Sequence, residues 1–332
     1  MFHSAANPVI RLVFVPILLL FYLQYQGAAL PFIAPIFVVI FLTLMPSRPP
    51  LNMMLKLLLI LVFVSFGVVT LGRLLLDSPT GFIMYSWSLL FWSYYRSHHN
   101  PKDIVSTLVL IVVLIMVVMS KQMGLPLNGL PWLLFSSFIL ALVATYLGFW
   151  LFPGDEKDIL PDEASLEGAE KHVGLIAFKA TAMVIVLMAL ISADSSQSLL
   201  IAITFGSMIK PPSYRDNQTF GYYRLVTTTV GILFTIPCML LVTAGVPSFV
   251  VLGVTLFCGL QLAAFAIRRQ THLTIYQLLF TNFTVLTYQI ISNPGSDSFS
   301  AQMMRLVSIA TAILLGTLVL NLVRDISHNQ TH

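Results

Sequence analysis

The chain has 332 residues, 58% of them hydrophobic and only 9% charged, with a formal net charge of +4. A soluble domain carries about 25% charged residues, so this composition leaves no room for a sizeable soluble catalytic domain, and so small a positive excess is no nucleic-acid footprint. What remains is a chain that spends its residues on crossing a lipid bilayer.

Twelve apolar stretches, most near the ~20 residues a helix needs to span hydrocarbon, predict helices at about 7–25, 28–46, 53–73, 80–96, 103–120, 131–152, 172–192, 195–210, 222–244, 247–267, 273–292 and 300–322. The fold class expected is an all-α polytopic membrane protein, because in lipid every backbone N–H and C=O must be paired internally. The runs are continuously apolar and lack the alternation of barrel strands. The first helix has a core from Leu12 to Phe21 and small residues at Gly27 and Ala28, as a signal peptide would. Its basic leader is almost absent and it has a counterpart later in the chain, so it reads as a span. The second carries Pro31 and Pro35, and the eighth is a short run broken by Gly206. Short or interrupted segments at matching places in two halves point to a transport site, so Pro35 and Gly206 are candidates.

The fourth and fifth helices are joined near His98, His99 and Asp103. Without further ligands at metal spacing this cluster reads as an interfacial loop, and no metal or cofactor is expected. Residues 153–171 hold Asp155, Glu156, Asp158, Asp162, Glu163, Glu167 and Glu170, seven of the thirteen acids, and read as a solvated linker. Cys238 and Cys258 lie inside predicted spans and read as small apolar fillers.

Basic residues set the orientation. With a cytoplasmic N-terminus, fourteen fall on the inner side and only Arg73, Lys121 and Arg305 on the outer, a positive-inside distribution. Both termini and the acidic linker are then cytoplasmic, and the membrane is expected to be the bacterial inner membrane.

The chain also divides into similar parts: 1–152, a first six-helix repeat; 153–171, the linker; and 172–332, a second repeat with a short tail. Arg11 matches Lys179, and Lys56 matches Arg224, each at a spacing of 168. An even number of helices per unit makes the repeat parallel. A charge inside a membrane helix is costly and is a functional candidate by default. Arg11 and Lys179 therefore read either as paired cations facing a vestibule or as snorkelling anchors. Lys56 and Arg224 read as headgroup anchors or as a second cationic ring, and Tyr222 as an interfacial tyrosine or a stacking surface. No acid lies deep in any predicted span: Asp77, Asp194 and Asp297 are all near the outer side.

Two segments carry a family resemblance. The opening Arg11, Leu12 and Val13, with the later Tyr25, Gln26, Gly27, Pro31 and Phe32, and the run from Tyr222 through Arg224, Thr228 and Gly231, resemble the fusaric-acid-resistance and aromatic-acid-exporter superfamily of bacterial inner-membrane proteins. The first-half counterpart, Leu55–Leu61, lacks the small residues, and the 19-residue linker replaces the soluble domain of larger members. The resemblance implies efflux of small organic, often aromatic, anions or toxic compounds, with a periplasmic membrane-fusion partner of the HlyD type. A passive organic-anion channel, a membrane-embedded lipid-modifying enzyme built on His98, His99 and Asp103, and a non-transporting scaffold are the alternatives.

Overall fold

A computed structural model describes residues 6–28, 30–44, 47–100, 103–121, 127–156, 159–160, 173–193, 197–210, 214–292 and 297–329. The side chains of 214–218, 297–299, 301 and 322–329 lie outside that description, as do most of the acidic linker and Asp194. The described residues form twelve α-helices: α1 (Asn7–Tyr25), α2 (Ile33–Thr43), α3 (Leu51–Leu74), α4 (Pro79–His99), α5 (Ile104–Lys121), α6 (Leu130–Leu151), α7 (Val173–Ala193), α8 (Ser198–Ile209), α9 (Tyr214–Thr243), α10 (Ser248–Arg268), α11 (Leu273–Ser292) and α12 (Asp297–Asn329). The protein is an all-α, multi-pass membrane protein. Eight of these helices have the length and apolarity to cross a bilayer.

Local chemistry sets the ends. Pro8 occupies the first turn of α1, where its missing N–H would have had no partner. Ser78 caps α4, its hydroxyl accepting from the Gly81 N–H at 3.3 Å. Helices α1 and α9 close alike: Gly27 and Gly245 take φ of 68° and 70°, a left-handed conformation that a Cβ would oppose. The N–H groups of Ala28 and Val246 then reach back to the carbonyls of Leu23 and Leu241, the six-residue closure of a Schellman motif.

The expected elements are all present, with differences at their ends. Helix α2 starts at Ile33 rather than 28, because Pro31 lies before it and Pro35 sits in its first turn, interrupting nothing. Helices α2 and α8 have 11 and 12 residues, roughly 17 Å of rise, about half of the ~30 Å hydrocarbon core. Helix α9 begins eight residues before the expected 222, extending beyond its apolar stretch. Helices α4 and α11 have spanning length, 21 and 20 residues, but bury Ser86, Ser93 and Ser97, and Asn282, Thr284 and Thr287, respectively.

The helices gather into two compact units. The first comprises 1–58, 134–163 and 226–306; the second comprises 59–133, 164–225 and 307–332. Each therefore draws on both parts of the sequence, with four of the five divisions falling inside α3, α6, α9 and α12. In the first unit α1 packs on α2, α10 and α11, and α2 packs on α11. In the second α7 packs on α8, α4 and α5, and α8 packs on α5. The second pattern is the first with every helix index moved by six.

The first unit closes a face on which α1 begins and α6 ends. The Asn7 amide donates to the Pro153 carbonyl at 2.8 Å. Leu160 pairs with the α10–α11 turn, donating to Thr271 O and accepting from Leu273 N–H. The chain thus returns after six helices to the end at which α1 begins.

Candidate functional site

The polar groups of interest in the second unit come from α4, α5, α7 and the residue after α8. Lys179 is the seventh residue of α7, roughly 9 Å along the helix from its start, and is buried at 1% exposure with Ile176, Ala180 and Met183 of the same helix. Helix α4 runs three residues beyond the sequence expectation, and its buried stripe of Phe82, Ser86, Leu90, Tyr94 and His98 recurs at helical spacing. That register presents His98 to α7, where Lys179 Nζ lies 3.2 Å from His98 Nε2. Ser97, the preceding residue, donates to the carbonyl of Lys210 at 3.5 Å. Lys210 follows the last turn of α8 and its ammonium donates to the Thr107 hydroxyl of α5. Three basic side chains from three elements thus collect at one end of a single helix cluster.

The one described carboxylate at this end is committed. Asp103 binds Arg96 through two bonds of 2.8 and 3.1 Å and caps α5 by accepting from the Ser106 N–H at 2.9 Å. Burial raises its carboxyl, but the Arg96 and Ser106 bonds outweigh that and hold it below its ordinary value. Burial pushes the Lys210 ammonium down from 10.5 to about 8, against the attraction of Asp103, which holds it up.

Beside this cluster α4 carries an aromatic ladder. Trp87, Phe91, Tyr95 and His99 follow one another at i, i+4, with ring centroids 5.4, 6.3 and 4.6 Å apart. Trp87 is held by donation from its indole N–H to Thr181 of α7 at 3.0 Å. The rings run from mid-helix to the same end as Lys179.

The other expected site residues lie elsewhere. Arg11, in the first unit, is buried at 2% exposure. It donates to the carbonyls of Phe152 and Gly154 at 2.9 and 3.1 Å, just past the end of α6, and its guanidinium sits 3.6 Å over the Phe149 ring. It thus satisfies orphan carbonyls at a helix C-terminus. A small cavity of about 10 Å³, lined by Arg11, Thr43, Glu156 and Tyr276, has room for roughly one water. Lys56 is exposed, Arg224 half-buried and Tyr222 65% exposed. Pro35 is buried in α2. Gly206 packs α8 tightly; a Cβ there would lie 3.3 Å from Leu114 and 3.4 Å from the Met183 sulfur. The structure therefore brings Lys179 together with His98, which the sequence reading had not joined to it.

His98, His99 and Asp103 make their bonds in different directions: to Lys179, to the Tyr95 carbonyl at 3.1 Å, and to Arg96. Among the described residues no group of three His, Cys, Asp or Glu could hold a metal ion. Cys238 and Cys258 are buried free thiols.

Residues 8–148, from the first turn of α1 into α6, match a family described as "Protein of unknown function (DUF2955)". No curated protein and no solved structure matches the chain.

Proposed function

We propose that the protein is a transporter that exports small organic anions, aromatic or amphipathic ones above all, across the bacterial inner membrane. The observation that carries this reading is the buried pair of Lys179 and His98, on the end of α4 whose Ser97 bonds the Lys210 carbonyl just after the half-length helix α8. Short helices at the second and eighth positions support it, since half-membrane helices end where a ligand can be held. The aromatic ladder of α4 supports ring-bearing cargo, because stacked or edge-on ring pairs add favourable contact. The matching helix pairings within the two units, and a family match ending in α6, support the parallel six-helix repeat. A periplasmic membrane-fusion protein of the HlyD type is the expected partner. The diverging bonds of His98, His99 and Asp103 favour transport over catalysis.

The test is uptake of radiolabelled benzoate into inside-out vesicles. A charge-assisted hydrogen bond is worth roughly 1.5–3 kcal/mol, so Lys179→Ala should weaken apparent affinity about 10- to 100-fold, and Lys179→Arg should retain much of it. Uptake by Lys179→Ala equal to wild type at matched expression would overturn the reading.

A further inference from the structure

We infer that the first unit holds an anion pocket built on Arg11, between α1, α2 and α11, and that the linker keeps it filled with a carboxylate of its own, Glu156, bridged to Arg11 by one water. The inference stands apart from the transport reading and concerns the other unit.

Arg11 is 2% exposed, and a buried guanidinium needs both acceptors and a counter-charge. One terminal nitrogen donates to the carbonyls of Phe152 and Gly154. The buried Nε–H has no acceptor among the described residues, and neutral carbonyls do not cancel the charge. Glu156 and Asp155 supply the opposing charge, Glu156 more strongly. Of these two acids only Glu156 lines the cavity beside Arg11.

That cavity, of about 10 Å³, has room for one water, and a water there has the partners it needs. It accepts from the Arg11 Nε–H. It donates to the Glu156 carboxylate and to the Thr43 hydroxyl oxygen, whose own proton goes to the Val39 carbonyl at 2.7 Å. A bridging water of this kind is nearly as favourable as a direct bond. Leu12, Leu42 and Leu273 line the rest, a low-dielectric surround that strengthens the attraction between the two charges.

The linker is strapped down on both sides of Glu156. Before it, Asn7 donates to Pro153 and Arg11 to Gly154. Gly154 turns the chain there with φ of 142°, a conformation that a Cβ would oppose. After it, Leu160 makes its two backbone bonds with the α10–α11 turn. These anchors hold the carboxylate at the pocket, so a small carboxylate from solution reaches Arg11 only when Glu156 leaves.

Two measurements on the full chain in lipid nanodiscs test this. Hydrogen exchange read by mass spectrometry follows the strap through the Leu160 N–H. Glu156→Gln should speed exchange of the peptide holding Leu160 about fivefold. Asp155→Asn, which changes the local field without touching the cavity, should change it less than about twofold. In Glu156→Ala the pocket loses its tethered carboxylate. Sodium formate should then raise the melting temperature of that variant above its value in sodium chloride of equal ionic strength, and should leave wild type unmoved. Unchanged exchange in Glu156→Gln, an equal effect from Asp155→Asn, or the same response to formate in wild type and Glu156→Ala would overturn the inference. None of these readouts involves transport, so such a result leaves the transport reading standing.

Discussion

Arg11 and Lys179 occupy matching places in the sequence, 168 residues apart, yet meet different surroundings. One terminal nitrogen of Arg11 donates to two carbonyls beyond α6, and its guanidinium face covers Phe149, using the stacking that distinguishes arginine. Lys179 meets an imidazole, and a lysine suits that contact because its donors rotate. Lys210 yields a pH prediction. Its folded value of about 8 lies below the ordinary 10.5, because burial disfavours the ammonium. The unfolded chain therefore binds more protons between those values, and stability rises with pH across that window. The full effect is on the order of 3 kcal/mol. Thermal melts in nanodiscs from pH 7 to 10.5 should show wild type gaining on Lys210→Met as pH rises. A constant difference between the two would refute the assignment.

At the scale of helices, close approach is carried by small residues, as expected where lipid removes the hydrophobic drive for association. Gly259 of α10 faces Val13 of α1, and a Cβ there would lie 2.6 Å from a Val13 methyl and 3.3 Å from Phe283. Gly259→Ala should therefore destabilise the first unit by about 1–3 kcal/mol through overpacking. Val13→Ala in the same chain should recover much of that loss, because the two positions are in contact and their effects are not additive. Thermal stability of the two single variants and the double variant gives the coupling; strict additivity would show that the α1–α10 contact is not what limits the site. A second buried link in this unit joins α11 to α9, where the Asn282 amide donates to Thr227 and Thr228 at 3.1 and 3.0 Å. In hydrocarbon such bonds fix which helices pair.

At the scale of the molecule, α1 and α2 find their packing partners in α10 and α11, and α7 and α8 find theirs in α4 and α5. A fragment of residues 1–152 lacks the surface that covers α1 and α2. Expressed alone it should be degraded, and co-expression with 172–332 should restore it, seen as recovery of one tagged half with the other. A stable, monodisperse 1–152 would contradict this interleaving. Orientation is tested separately by reporter fusions: activity of a periplasmic reporter at Glu163 would overturn cytoplasmic termini and linker.

The positions of the helices were legible in the amino-acid order. Asn7–Tyr25 and Leu273–Ser292 begin and end where the apolar runs do, because a lipid solvent forces each long apolar run to satisfy its own backbone. Lys179 stood out for the same reason, as a costly charge within such a run. The shortness of α2, the early start of α9 and the extra turn of α4 were not legible, since polar flanks and prolines blur where a helix leaves the apolar layer. His98 could have been found by following the stripe from Phe82 through Leu90 and Tyr94 at helical spacing, but nothing in its own neighbourhood pointed to α7. Which helices pair, and that Lys179 meets His98 while Arg11 caps α6, was decided only in the tertiary structure. Hydropathy is nearly uniform along these helices, so it cannot choose partners; that choice rests on the steric fit of residues such as Gly259 and Gly206 and on a few buried hydrogen bonds.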